Sequence, residues 1–190
     1  MSKEGSFTGQ IYIDGYALTC KLGFQYLDES SYQTGAHGVF RGGKSVSVAG
    51  LPKTEYLCAN TCNDSKAVLF HFEHIGGGDY VITSREEDFY LGRYLGITDK
   101  SYVYAYESRS ENNLFKLKKN GKQLTLSDMP NEVTSGLEMV CKDGGLELHK
   151  KAIYAPSNGN QWAAYLCSKD GDAGLVGSKL SLKIVGRNVE

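Results

Sequence analysis

The feature that most constrains this chain is a two-residue alternation of apolar and polar side chains, cut at short intervals by glycine and asparagine. KLSLKIV (179–185) and LFKLKK (114–119) change polarity at most steps, as a strand with one buried face does, and DYVITS (79–84) is a further candidate strand. No stretch sustains the 3.6-residue period of an amphipathic helix. Between the alternating runs stand RGGK, IGGGD, KNGK, KDGG and SNGN. Glycine adopts the positive φ of tight hairpins freely and asparagine tolerably. The other candidate strands are GQIYIDG, YALTCKL, KSVSVAG, AVLFHFEH, YVYAYES, KQLTLSD, LEMVCK, LELHKK and WAAYLC. About a dozen short strands with turns at this spacing predict an all-β sandwich or barrel.

Thirteen Tyr and 23 Gly against three Pro and three Met fit that class, and 190 residues suit a single domain over 1–190. Lys+Arg at 21 against Asp+Glu at 22 gives a net charge of -1, which argues against nucleic-acid backbone binding as the main task. The densest basic run (Lys116, Lys118, Lys119, Lys122) surrounds a turn and reads as a solvated hairpin tip. No run approaches the roughly 20 apolar residues of a transmembrane helix. MSKEGSFTGQ lacks the apolar core of a signal peptide. Five irregularly spaced cysteines do not form a disulfide framework, so a cytoplasmic location is expected, with leaderless export left open.

Motifs of catalysis are absent: there is no Gly-x-Ser-x-Gly elbow, phosphate loop, dinucleotide-binding glycine motif or His-Glu-x-x-His. The acidic REED at 85–88 reads as a solvated turn. A non-enzymatic protein without cofactor is expected. Cys58-x3-Cys62-x8-His71-x2-His74 has the composition of a zinc site. On a strand, however, His71 and His74 face opposite ways, whereas zinc ligands converge within about 2 Å of one point. The expectation is therefore no metal, with both histidines at the surface or an edge, and with Cys20, Cys141 and Cys167 as small core residues.

Internal similarity goes further. LFHFEHIGGGDYVITS (69–84) and LFKLKKNGKQLTLSD (114–128) share a Leu-Phe start, a glycine turn and an alternating return strand. VFRGGKSVSVAG supplies a shorter copy with Phe40, and WAAYLC followed by KLSLKIV a fourth with Trp162, which is expected in the core. Tyr26-Leu27 and Tyr56-Leu57 each lie 14 residues before a repeated Phe, and Tyr90-Leu91 and LEMV (137–140) precede the later copies.

Residues 69–92, LFHFEHIGGGDYVITSREEDFYLG, resemble the β-trefoil repeat as found in hisactophilin and fascin. LELHKKAIYAPSNGNQW (146–162) is similar to the repeat of the ricin B-chain lectins, although Gln161 and Trp162 are adjacent here rather than one residue apart. The resemblance covers residues 56–186 and accounts poorly for residues 1–50. It implies an all-β β-trefoil of about twelve strands and a lectin that binds glycans or glycoproteins. Its sugar sites would be Asp99, Tyr106 and Asn112 in one unit and Asp143, His149 and Asn158 in the next. The fascin and hisactophilin side of the resemblance implies instead a protein-binding module with a cytoskeletal partner such as actin; a loop-based protease inhibitor is a third possibility. Four Phe/Trp hairpins exceed the three units of a trefoil, so a double Greek-key fold of βγ-crystallin type is the alternative.

Overall fold

A computed structural model describes residues 4–26, 53–62, 65–154, 161–168 and 179–190. Fourteen strands run through these residues. They are β1 (Phe7–Ile13), β2 (Lys21–Gln25), β3 (Lys53–Asn60), β4 (Leu69–Gly76), β5 (Asp79–Ser84), β6 (Tyr94–Ile97) and β7 (Val103–Tyr106). Then follow β8 (Leu114–Lys119), β9 (Lys122–Leu124), β10 (Val133–Cys141), β11 (Gly144–Gly145), β12 (Glu147–Tyr154), β13 (Gln161–Cys167) and β14 (Leu180–Arg187). The chain is all-β, and among the described residues no helix is long and apolar enough to cross a membrane. The copy built on Phe40, with KSVSVAG, lies outside the described residues.

Six strands pair in a closed antiparallel ring: β1 with β4, β4 with β5, β5 with β8, β8 with β10, β10 with β14, and β14 with β1. Closure removes the free edges that an open sheet would expose. Because side chains alternate, each ring strand sends every second residue inward, and Phe7, Phe70, Phe72, Tyr80 and Phe115 fill the interior. Phe7 stacks on Phe72 at 4.4 Å and meets Tyr80 edge-on at 5.6 Å.

The remaining long strands form three hairpins, β2–β3, β6–β7 and β12–β13. Their inner strands meet one another. Tyr56 pairs with Tyr104, β13 pairs with β3 through Ala163–Tyr165, and Tyr102 bridges to Cys167. The hairpins thus close a triangle against one end of the ring, since β1 runs out of the ring at Ile13 and its Tyr12 pairs with Lys21 of β2. Trp162 is 6% exposed in the core under this layer, edge-on to Tyr16 at 5.7 Å, as its repeated position predicts.

Local chemistry explains where strands stop. Asn120 and Gly121 have φ of 52° and 77°, the two left-handed residues of a tight hairpin turn. The lysine run does surround this tip, with Lys116 paired to Asp79 and Lys122 to Asp128. KQLTLSD does not continue as a strand beyond Leu124. The Asp128 carboxylate accepts from the Thr125 N–H at 2.9 Å, capping a short 3₁₀ turn over Leu126–Asp128; the side chain supplies the backbone partner that a ladder would otherwise give. YALTCKL likewise becomes a strand only from Lys21, because Thr19 N–H closes a turn on the Tyr16 carbonyl. Tyr90-Leu91 is not a counterpart of Tyr56-Leu57: Tyr90 has a φ of 60° in a turn, and Leu91 is exposed.

The histidines correct another expectation. They do face opposite sides of β4, but neither is a free surface group. His71 is 8% exposed; its Nε2 donates to the Val189 carbonyl at 3.2 Å and its Nδ1 accepts from Arg85 at 3.3 Å. Burial lowers its pKa. His74 lies over Tyr80 with ring centroids 5.5 Å apart, and its Nε2 is closed to solvent. The chain beyond β14 folds back over the outer side of β4, and Gly5 and Ser6 cover the inner side. All five cysteines are buried.

Candidate functional site

The outer face of the hairpin layer is the most distinctive surface of the molecule. Along β3, β7 and β13, Leu57, Ala59, Val103, Ala105, Ala164 and Leu166 point into the core. The residues between them point away, and on most half-buried layers they would be polar. Here many are tyrosines: Tyr56 on β3, Tyr104 and Tyr106 on β7, Tyr102 just before it, and Tyr165 on β13. Cys58, Ala163 and Cys167 share this outward side and are nevertheless buried. Burial pushes the Cys58 thiol well up.

Tyr56 stands at the centre. Its ring meets Tyr102, Tyr104 and Tyr165 edge-on, with centroids 5.8, 5.2 and 5.7 Å away, and it remains 37% exposed. Tyr26 stacks on Tyr165 at 4.0 Å, and Tyr104 meets Tyr106 at 5.0 Å. Such pairs are the arrangements that the ring quadrupole favours.

One charged network borders the face. Glu55 accepts from the Tyr104 hydroxyl and from Arg93 Nη1 at 2.6 Å, and Arg93 Nη2 reaches Glu107 at 3.0 Å. The Tyr104 hydroxyl bond and then the Arg93 bond lower the Glu55 pKa. The same carboxylate pushes the Tyr104 phenol up to about 12. The rim therefore presents a fixed carboxylate beside neutral phenols, and the guanidinium is shared between two acids.

Against this surface the residues expected from the sequence fall as follows. Tyr106 is half-buried, belongs to the tyrosine face and donates to the Ile97 carbonyl at 3.4 Å. Asp99 is exposed in the turn between β6 and β7, near enough to add to the raised pKa of Tyr106, whose larger cause is burial. Asn112 is not part of this arrangement: its Oδ1 accepts from Lys142 at 2.5 Å. The neighbouring Asn113 is the buried one, bridging the Leu95 carbonyl at 2.8 Å and the Ser110 hydroxyl at 3.0 Å. Asp143 sits half-buried in the two-residue turn between β10 and β11. His149 is on β12, where its Nδ1 is 2.6 Å from the Tyr102 hydroxyl. Asn158 lies outside the described residues. Tyr106 and His149, expected in separate sites, thus border one continuous surface from opposite hairpins.

Sequence reasoning missed Tyr56, Tyr102, Tyr104 and Tyr165 as a group. The signal available was the spacing Tyr102-x-Tyr104-x-Tyr106, which puts three rings on one side of a strand. What it lacked was the pairing of three distant strands.

A concavity of about 870 Å³ opens elsewhere, at the far end of the ring, between Glu73, His74, Arg109, Ser127, Arg187 and Asn188. Its charges are already engaged. Arg187 donates to the carbonyls of Met129 and Asn131 at 2.5 and 3.0 Å, and Arg109 pairs with Glu73 at 3.7 Å. Among the described residues no group of three or more His, Cys, Asp or Glu side chains is placed to hold a metal ion. Comparison of the chain with protein-family models, with curated proteins and with solved structures finds no match.

Proposed function

We propose that this chain is a non-enzymatic carbohydrate-binding protein on a β-trefoil scaffold. The six-strand ring and the triangle of three hairpins support the scaffold, with β1–β4, β5–β8 and the strands from β10 to β14 as its three units. The short β9 and β11 are then additions to a twelve-strand plan. The single observation that carries the binding reading is Tyr106. It is a half-buried aromatic with an exposed carboxylate, Asp99, beside it, and it is joined through Tyr104 to further phenol rings. Aromatic rings offer a pyranose an apolar surface for its C–H groups, while carboxylates fix its hydroxyls by charge-assisted hydrogen bonds.

A glycan microarray probed with the labelled full chain tests this, with Asp99→Ala/Tyr106→Ala as the control. Selective binding by the wild type that the control loses is the expected result. A blank array from folded protein refutes the carbohydrate reading and directs the search to a protein partner, actin included.

A further inference from the structure

The carbohydrate reading, on which this inference rests, leaves open whether each unit holds its own loop site. We infer that the chain carries one composite site, on the outer face of the hairpin layer, where Tyr56, Tyr102, Tyr104 and Tyr165 with Glu55 take a single neutral oligosaccharide chain.

Three features of the face point there. First, the rings are contiguous across all three hairpins: Tyr106, Tyr104, Tyr56, Tyr165 and Tyr26 form an unbroken series of ring contacts. A pyranose covers about one aromatic ring, so a series of this kind fits several linked sugars rather than one. The central member, Tyr56, is also the most exposed of the outward residues on β3, β7 and β13, and central, packed aromatics dominate binding at interfaces.

Second, the polar group at the rim is held in place before any ligand arrives. One Glu55 oxygen is fixed by Arg93 and the other by Tyr104. Each carboxylate oxygen keeps a further lone-pair direction for a ligand hydroxyl. Binding then costs little side-chain ordering at that position.

Third, the charge selects the ligand. Arg93 is held by Glu55 and Glu107, so these three groups sum to one negative charge. A sulfated or phosphorylated chain meets net repulsion at this rim, whereas a neutral, hydroxyl-rich chain meets acceptors and apolar ring surface.

Isothermal titration of the full chain tests the inference. The probes are neutral hexasaccharides of glucose, N-acetylglucosamine, mannose and galactose, with a heparin hexasaccharide as the anionic arm. Wild type should bind at least one neutral probe with a stoichiometry of one and ignore heparin. Tyr56→Ala should lose about tenfold or more in affinity, Tyr56→Phe should stay within about threefold, and Asp143→Ala should match wild type. Thermal melting checks that each variant is folded. Should Tyr56→Ala not fold, Glu55→Gln replaces it, with an expected loss of about threefold or more.

Two ligands per chain, a preference for heparin, or wild-type affinity in folded Tyr56→Ala each overturn the composite site while leaving carbohydrate binding intact. Absence of binding to every neutral hexasaccharide also overturns it; a positive microarray then shows that the broader reading survives, and a blank one that both have failed.

Discussion

Phe7 offers the sharpest test of the closed ring, because it lies where the first strand is held between two strands from distant parts of the chain. It pairs with Phe72 on β4 and with Arg187 on β14, and its side chain is fully buried. Replacing it by alanine removes the stack on Phe72 and the edge contact with Tyr80 and leaves a cavity in the ring. Buried Phe→Ala substitutions cost about 3–5 kcal/mol. Here the surrounding rings are themselves held by β4 and β5 and cannot collapse freely, so about 4 kcal/mol is expected. That is a large part of the roughly 5–15 kcal/mol that holds an ordinary domain together. For a chain of this size each kcal/mol moves Tm by about 2–4 °C, so melting should fall by about 8–16 °C. Urea unfolding followed by tryptophan fluorescence measures the loss directly, with the m-value unchanged if only the native state is affected. Val185→Ala is the control: Val185 is 58% exposed on β14, and its loss should stay within about 0.5 kcal/mol. A cost below about 1.5 kcal/mol for Phe7→Ala would refute the argument that this seam closes the ring.

Three further outcomes follow from the same geometry. Trp162, the one tryptophan, is buried beneath the hairpin layer, so iodide should quench its fluorescence weakly in the native state and strongly in urea; strong native quenching would contradict its placement. The Thr125 N–H, then Lys122 and the Thr125 hydroxyl, hold the Asp128 carboxyl down at about 2. A depressed carboxyl contributes stability above its unfolded pKa, near 4, that disappears as pH falls through about 2; acid titration of Asp128→Asn should lack that part of the loss. Burial raises the Tyr80 phenol to about 12, so its contribution is complete below its unfolded pKa, near 10, and declines as pH rises toward 12. An alkaline unfolding limb unchanged in Tyr80→Phe would show that another group governs it.

The class of fold and many of its strands are legible in the local pattern of residues. The segments DYVITS and LFKLKK match β5 and β8 at both ends, and Asn120–Gly121 makes the turn its residues prescribe. These are local matters, decided by side-chain period and by which residues accept a positive φ. The same local logic failed where side chains competed with the ladder, as Asp128 does at the end of β9 and the Tyr16–Thr19 turn does before β2. It also failed where another segment buried a group of surface type, as the chain near Val189 does to His71. The tyrosine face belongs wholly to tertiary structure. Tyr56, Tyr104 and Tyr165 are far apart in the chain, and each alone is an ordinary outward residue on a strand. Only the antiparallel meeting of β3, β7 and β13 brings their rings within 6 Å of Tyr56. Pairing between distant strands depends on how the whole core packs, and no period within a single strand encodes it.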